Sequence, residues 1–145
     1  MTQIEKIEWD PKYSVDVEEI DIHQKKMFDM FNELIDMKNI DADPKIYGNM
    51  ISDINDQSKL YFSREEKILR KRGYPDFESH TKAHRQFIRS SISLRREIAE
   101  DTNNLTLEAI LELRDWLIRH IETCDSLYVP FLRIHQYIDE KNQKN

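Results

Sequence analysis

Apolar residues recur along this chain at intervals of three and four residues, the spacing that lines one face of an α-helix. A first helix is predicted over about 20–38. Asp43 followed by Pro44 is typical of a helix start, with a capping carboxylate before a proline at the first helical position. The second helix is predicted from there to Arg72, and Gly73 marks its stop.

The helical spacing returns twice more. It predicts a third helix over about 77–98 and, after a polar break at 101–104, a fourth helix over about 109–124. Pro130 interrupts the pattern, and a short C-terminal helix is predicted beyond it, to about Ile138. Four helices with short connections favour antiparallel neighbours, so the predicted fold is an all-α, up-down-up-down four-helix bundle.

Residues 1–19 alternate loosely between apolar and polar and contain Pro11, which predicts an extended N-terminal arm rather than a helix. The alternating apolar residues are Ile4, Ile7, Trp9, Tyr13, Val15 and Val17. The sequence shows no linker and no internal repeat. We therefore predict one domain over 1–145, made of this arm, a bundle over about 20–128 and a tail over 129–145.

Composition narrows the class of protein. Apolar residues make up 39% of the chain and charged residues 34%, with two glycines and four prolines, which suits long amphipathic helices. The net charge of −6 is dispersed and gives no footprint for nucleic acid or an anionic membrane. No uncharged run exceeds seven residues, too few to span a bilayer. With a single cysteine, Cys124, and no signal-peptide pattern, a cytoplasmic protein is expected.

Polar residues break the apolar stripes at positions that share one end of the predicted bundle. They are Gln24, Tyr61, Glu65, His80, His84, His120 and Asp125. In an up-down-up-down bundle the starts of helices one and three lie beside the ends of helices two and four. A buried polar group costs about 1–3 kcal/mol unless a partner satisfies it. These side chains are therefore expected to bind a common ligand or to hydrogen bond with one another.

The residue types favour a metal as that ligand. His80 and His84 are four residues apart, so both imidazoles leave the same helix face. Three imidazoles with the carboxylates Glu65 and Asp125 form a ligand set for a first-row transition metal, with iron, zinc and manganese all open. Mutually hydrogen-bonded core histidines are the alternative. His120 and Asp125 lie about 140° apart on a regular helix, so facing one ion requires a π-bulge or a bend.

At these residues the sequence resembles the hemerythrin family, including its bacterial members. The resemblance covers roughly 8–132, and its segments occur in order and at compatible spacing. They are W-x3-Y-x-V-x-V from Trp9 to Val17, Ile20-Asp21, F-x-x-E-E from Phe62 to Glu66, Gly73-Tyr74-Pro75, His80-x3-His84-x2-Phe87, and W-L-x2-H-I-x3-D-x2-Y from Trp116 to Tyr128. The resemblance implies a four-helix bundle that holds two non-haem irons with five histidines and two bridging carboxylates, and that binds dioxygen.

Position by position, the resemblance implies roles for five residues. Glu65 and Asp125 match the bridging carboxylates. The histidines of one iron match His80, His84 and His120. One complete ligand set is therefore expected, with one iron ion favoured over two and with zinc or manganese as alternatives.

The resemblance also implies that the second iron, where the family binds oxygen, has lost both of its histidines. The first-helix motif I-D-x-Q-H has Gln24 at its histidine position, and the second-helix motif H-F-x-x-E-E has Tyr61. Gln24, Tyr61 and His23 are therefore candidates for the second metal position or for its surroundings. An amide is a weak iron ligand. A phenolate binds ferric iron well, but a phenol with an ordinary pKa of about 10 stays neutral without metal. His23 stands one residue early, about 100° around the helix, and replaces the ligand only after a register shift. Glu66 is expected on the solvated surface.

Three functions stay open on the sequence. The favoured one is a protein that binds one non-haem metal ion, iron, for sensing, storage or a redox reaction. The second is a di-iron oxygen carrier or sensor, with dioxygen as its small-molecule partner, and the third is a metal-free interaction module. No nucleophile–base pair or phosphate loop is apparent, so no enzyme is predicted, and a weak peroxidase- or oxidase-like activity of bound iron stays open. No protein partner is indicated.

Overall fold

The computed structural model describes residues 6–143. Its helical elements are a 3₁₀ turn (Pro11–Tyr13), α1 (Glu18–Asn39), α2 (Lys45–Arg72), α3 (Phe77–Glu100), a second 3₁₀ turn (Thr102–Asn104), α4 (Leu107–His120), a π turn (Ile121–Asp125) and α5 (Ser126–Gln143). Helix α1 contacts α2 and α4, and α3 contacts the same two helices, so antiparallel neighbours surround one core. The predicted all-α four-helix bundle is confirmed, and residues 6–143 contain no strand.

Local chemistry sets the ends of α2. The Asp43 carboxylate accepts a hydrogen bond from the Lys45 amide at 3.0 Å, but the helix begins at Lys45, one residue later than predicted, with Pro44 at the N-cap position. At the other end Gly73 adopts a left-handed conformation with φ of 68°, and the Tyr74 amide donates to the Leu69 carbonyl at 3.0 Å. Glycine adopts this conformation without steric cost, so the helix stops where the sequence predicts.

The fourth helix continues past His120 without a break. The π turn follows directly, and the Ser126 amide donates to the carbonyl of Ile121, five residues earlier. This confirms the predicted π-bulge. The C-terminal helix differs from prediction, because Pro130 lies inside α5 rather than before it. Pro130 is the fifth residue of α5, and the helix continues through it without the hydrogen bond that an amide at this position would donate to the Ser126 carbonyl.

The N-terminal arm lies against the bundle in an extended conformation around its 3₁₀ turn. The Asn32 side chain exchanges two hydrogen bonds with the backbone of Ile7, at 2.9 and 2.7 Å. The Asp21 carboxylate accepts the Val15 amide at 2.9 Å, close to the start of α1. Ile4 lies outside the described residues. The other predicted apolar contacts of the arm all reach the core: Ile7, Trp9, Tyr13, Val15 and Val17.

The bundle interior is apolar over most of its length and polar at one end. Its largest fully buried side chains include Phe28, Phe31, Tyr47, Phe87 and Tyr128. No helix within residues 6–143 is long and apolar enough to cross a membrane. The polar end is the part of the core that carries candidate chemistry.

Candidate metal centre

Five buried side chains converge at the polar end of the core. Glu65 comes from α2, His80 and His84 from α3, His120 from the end of α4 and Asp125 from the π turn. Each offers one nitrogen or oxygen atom, and these atoms all lie within 4.8 Å of one another. The structure thus brings together the five residues that the sequence predicts as ligands.

Helix geometry explains how so few segments deliver five side chains. His80 and His84 lie one turn apart on α3, and their ring centroids are 4.5 Å apart. On the fourth helix the π turn closes the angle between His120 and Asp125, so that Asp125 Oδ1 lies 3.2 Å from His120 Nε2. A regular α-helix would separate these two side chains by about 140°.

Each carboxylate turns one oxygen towards the histidines and gives the other to a tyrosine. Glu65 Oε1 lies 2.5 Å from His80 Nε2 and 3.0 Å from His84 Nε2. The second oxygen, Oε2, accepts a hydrogen bond from the Tyr128 hydroxyl at 2.8 Å.

Asp125 repeats this arrangement. Its Oδ1 lies 3.2 Å from the Nε2 atoms of both His80 and His120, while its Oδ2 accepts the Tyr61 hydroxyl at 2.6 Å. The two tyrosines therefore fix the rotation of both carboxylates and leave one oxygen of each facing the imidazoles.

The charges of the cluster depend on one another. Burial alone would lower the pKa of His80, but its contacts with Asp125 and Glu65 outweigh burial and raise the pKa to about 9. The same balance, set mainly by Asp125, raises the pKa of His120 to about 10. Burial would raise the pKa of Asp125, yet the two charged histidines hold it well below its usual range. Protons on the imidazoles thus supply the positive charge that two buried carboxylates require.

Unsatisfied polar atoms test whether these residues fit a metal. In the described part of the chain, the buried side-chain atoms without a hydrogen-bond partner are Gln24 Nε2, His120 Nδ1, His120 Nε2 and Asp125 Oδ1. Three of the four belong to the cluster, and His120 Nε2 and Asp125 Oδ1 face each other without a hydrogen bond of normal geometry. Buried atoms of this kind are costly when unpaired, and nitrogen and carboxylate donors suit a transition metal. The residues present fit such an ion.

The remaining predicted residues form a neutral network on the other side of Asp125. The Trp9 indole donates to Gln24 Oε1 at 2.9 Å, and Tyr61 donates to Asp125. Burial raises the pKa of Tyr61 well above its ordinary value, and the charges of Asp125 and Glu65 raise it further, so the phenol stays neutral. We call Trp9, Gln24 and Tyr61 the phenol side of the centre, and His80, His84 and His120 the histidine side.

His23 and Glu66 lie beside the cluster, and each forms a hydrogen bond with a different partner. His23 does not undergo the register shift that would bring it inward: it is half-buried on the flank of α1, and its Nδ1 accepts the Gln57 amide at 2.8 Å. The expectation that Glu66 is a solvated surface residue is wrong. Its carboxylate accepts the His84 Nδ1–H at 3.0 Å, and its side chain is only 30% exposed. Such a hydrogen bond orients an imidazole and fixes which ring nitrogen is free.

Sequence reasoning also missed the aromatic residues that enclose the histidines. Phe62 stacks on His84 with ring centroids 4.0 Å apart, and Trp116 stacks on His120 at 5.0 Å. Trp116 precedes His120 by four residues, so helical spacing places them on one face. The partner of Phe62 lies on another helix and leaves no signal in the local sequence.

Comparisons with known proteins agree with this geometry. A family model described as "Hemerythrin HHE cation binding domain" matches residues 15–132. The bacteriohemerythrin of Methylococcus capsulatus is 30% identical over 112 residues, which cover 77% of this chain and 85% of that protein. The myohemerythrin of Theromyzon tessulatum is 26% identical over 124 residues, covering 86% and 92%.

The fold agrees as well. A crystal structure of wild-type hemerythrin superposes with a TM-score of 0.79 at 26% identity, covering 86% of this chain and 95% of that one. The family match spans the end of the arm, the four helices and the π turn, and it includes all five residues of the buried cluster. This chain therefore belongs to the hemerythrin family and carries its metal-binding domain.

Proposed function

We propose that this protein binds one non-haem metal ion, iron, and uses it for sensing, storage or a redox reaction. The proposed ligands are Glu65, His80, His84, His120 and Asp125. The position of a second ion is depleted in this proposal, because Gln24 and Tyr61 stand where the family resemblance implies histidines. We propose a binding protein rather than an enzyme.

The observation that carries the proposal is the hydrogen bonding of the two outer carboxylate oxygens. A carboxylate that bridges two ions uses both of its oxygens. Here Asp125 Oδ2 accepts Tyr61, and Glu65 Oε2 accepts Tyr128. A second ion would have to displace two buried hydrogen bonds and would gain no imidazole in return. This supports one ion on the histidine side.

The chain's own residues would prepare that position. Three imidazole nitrogens and two carboxylate oxygens make five donors, which leaves one place of an octahedron open. Glu66 orients His84, and Phe62 and Trp116 shield two imidazoles from water. Iron bound there supplies one-electron redox chemistry and a coordination position for a small molecule such as dioxygen.

A di-iron oxygen carrier is the second candidate, and the relatives favour it. The similar proteins are named bacteriohemerythrin and myohemerythrin. Under that alternative, the phenol side would have to rearrange when metal binds, and His23 would have to leave Gln57 and turn inward.

Metal analysis separates these functions. The protein, purified without added metal, is loaded with ferrous iron under anaerobic conditions and then dialysed extensively against a chelator. We expect one equivalent of iron to remain and air to oxidise it without reversible oxygen uptake. Two retained equivalents, or repeated uptake and release of oxygen, would support the carrier, while retention of none would support a metal-free module.

A further inference from the structure

A surface groove lies between α2 and α3, directly behind the metal centre. Its volume is about 920 Å³, within the range of ligand-binding clefts. Its lining side chains are Lys59, Phe62, Ser63, Glu66, Lys67, Arg70, Lys71, His84, Arg85, Ile88 and Arg89. Lys59 and Lys71 are twelve residues apart on α2, so the groove is about 18 Å long. This is a long and narrow cleft between two helices.

The charge of the groove opposes the charge of the protein. Six lining residues are Lys or Arg and one, Glu66, is acidic, in a chain whose net charge is −6. Within residues 6–143 these six cations form no ion pair, whereas Lys6, Arg64, Arg72 and Arg133 each form one. Unpaired cations that line one cleft raise the local concentration of anions there.

The floor of the groove is apolar. Ile88 is half-buried and exposes part of its side chain there, while Phe62, only 2% exposed, lies beneath the surface and stacks on His84. Lys and Arg side chains around such a floor can lay their methylene stems on an apolar ligand while their charged ends bind its acidic group. A purely ionic ligand such as inorganic phosphate would gain nothing from Ile88 or from these methylene stems.

We propose that this groove binds a long-chain organic anion, with a linear apolar body over Ile88 and the methylene stems of the Lys and Arg side chains, and an acidic head among their charged ends. The cleft is about 18 Å long, since the helix rises about 1.5 Å per residue, and a linear body fits such a cleft better than a compact one. The site does not depend on metal, because none of the six cations belongs to the buried cluster. His84 belongs to both sites, and Glu66 joins them as well, since it lines the groove and accepts His84 Nδ1–H.

The test uses the full-length protein as purified and the fluorescent anion 1-anilinonaphthalene-8-sulfonate, an apolar ring system with one acidic group. Decanoate, held below its micelle concentration, is the linear competitor. We expect decanoate to displace the dye, and decyltrimethylammonium and inorganic pyrophosphate at equal concentration to leave it bound. Displacement by pyrophosphate as effective as that by decanoate would reduce the groove to a charged patch and overturn the proposal.

Two charge-matched variants locate the site. The pair Lys67→Glu with Arg70→Glu should weaken decanoate binding at least tenfold. The pair Arg95→Glu with Arg96→Glu makes the same change in net charge at exposed positions of α3 outside the groove, and it should change binding less than twofold. Equal effects of the two pairs would show general electrostatics or another site, and would refute the assignment. Circular dichroism verifies that both variants fold.

Two further measurements complete the test. Glu66→Gln removes the one acidic group of the groove, so we expect it to strengthen decanoate binding severalfold, and unchanged affinity would place the ligand elsewhere. Vesicles of phosphatidylglycerol distinguish a single amphiphile from a lipid surface. Sedimentation of the protein with these vesicles, without binding of free decanoate, would assign the groove to a membrane surface and overturn the proposal.

Discussion

The histidine side and the phenol side of the centre meet at Asp125, and all their residues except the half-buried Trp9 are buried, yet the two sides satisfy their polar atoms differently. On the phenol side, Trp9 donates to Gln24 and Tyr61 donates to Asp125, both as neutral groups. On the histidine side, both ring nitrogens of His120 lack a hydrogen bond, and charge is balanced only by protons on imidazoles. The hydrogen bonding of the phenol side is largely complete without a cation, whereas the histidine side gains stability from one.

Burial alone therefore does not identify a metal ligand. Gln24 and Tyr61 have 0% exposure, as low as any residue of the cluster. What separates the two sides is the chemistry of the donors and whether their partners are already present. The stability of the histidine side should therefore depend on metal, and that of the phenol side should not.

The largest expected effect comes from removing His84, a proposed ligand, and the matched control removes His23, which lies outside the cluster. In wild-type protein, metal at a thousandfold excess over its dissociation constant should stabilise the fold by about 4 kcal/mol. His84→Ala should abolish that gain because it deletes a proposed ligand, whereas His23→Ala should keep it. Thermal unfolding of each protein with zinc and with chelator measures the gain. Equal melting of wild-type protein in both conditions would instead favour a metal-free module.

The five residues of the cluster could be predicted because the apolar stripes place Glu65 and the three histidines inward, and the up-down topology brings them and Asp125 to one end of the bundle. The pair His80 and His84 needs only the helical repeat, and the five-residue separation of His120 and Asp125 predicts the π turn. The fold likewise follows from the apolar stripes and from stops such as Gly73.

The remaining features depend on tertiary structure or lack a local signal. The start of α1 falls after Val17, which offers no side-chain cap, so its boundary has no mark in the sequence. The bond from Tyr128 to Glu65 joins residues 63 positions apart, and periodicity places a side chain on a face without naming its partner. Glu66 was misjudged for the same reason, since its partner His84 belongs to another helix.

Adding two imidazoles to the phenol side should create a position for a second metal ion. Gln24→His together with Tyr61→His should raise the retained iron from one equivalent to two, because both carboxylates are already present and the outer oxygen of Asp125 is freed. Iron analysis after dialysis against a chelator gives the stoichiometry. The control pair Gln24→Asn with Tyr61→Phe withdraws the amide by one methylene and removes the hydroxyl without adding imidazoles, and it should remain at one equivalent. A second equivalent in that control would mean that the imidazoles are irrelevant.

The stabilisation by metal should depend on pH, because the histidines must release protons to the ion. In the metal-free protein the pKa of His80 is raised to about 9 and that of His120 to about 10. Stability from these protons is complete below about pH 6.5, the ordinary histidine pKa, and is lost as pH rises towards the raised values. Zinc replaces the protons, so its apparent affinity should rise about tenfold per pH unit for each proton released, about 1.4 kcal/mol.

The gap in melting temperature between zinc-loaded and metal-free protein should therefore widen from pH 6.5 to 8.5. His23 provides no such effect, because it lies outside the cluster and burial lowers its pKa instead of raising it. His84→Ala, measured in parallel, should show no gap at any pH. A gap that stays constant or narrows would show that the imidazoles do not release protons to the ion.

The smallest expected effect tests the phenol side alone. Tyr61→Phe removes the hydroxyl that donates to Asp125 Oδ2 at 2.6 Å and leaves a buried carboxylate oxygen without its partner. Because a hydrogen bond to a charged group contributes more than a neutral one, the metal-free protein should lose about 1.5–3 kcal/mol. Tyr47→Phe, whose hydroxyl donates to the neutral Met37 carbonyl at 3.2 Å, should lose about 1 kcal/mol. Urea denaturation measures both losses. Zinc binding to Tyr61→Phe should stay at one equivalent, since the phenol is proposed to hold the carboxylate and not the ion. Loss of that equivalent would show that Tyr61 is a ligand and belongs with the histidine side.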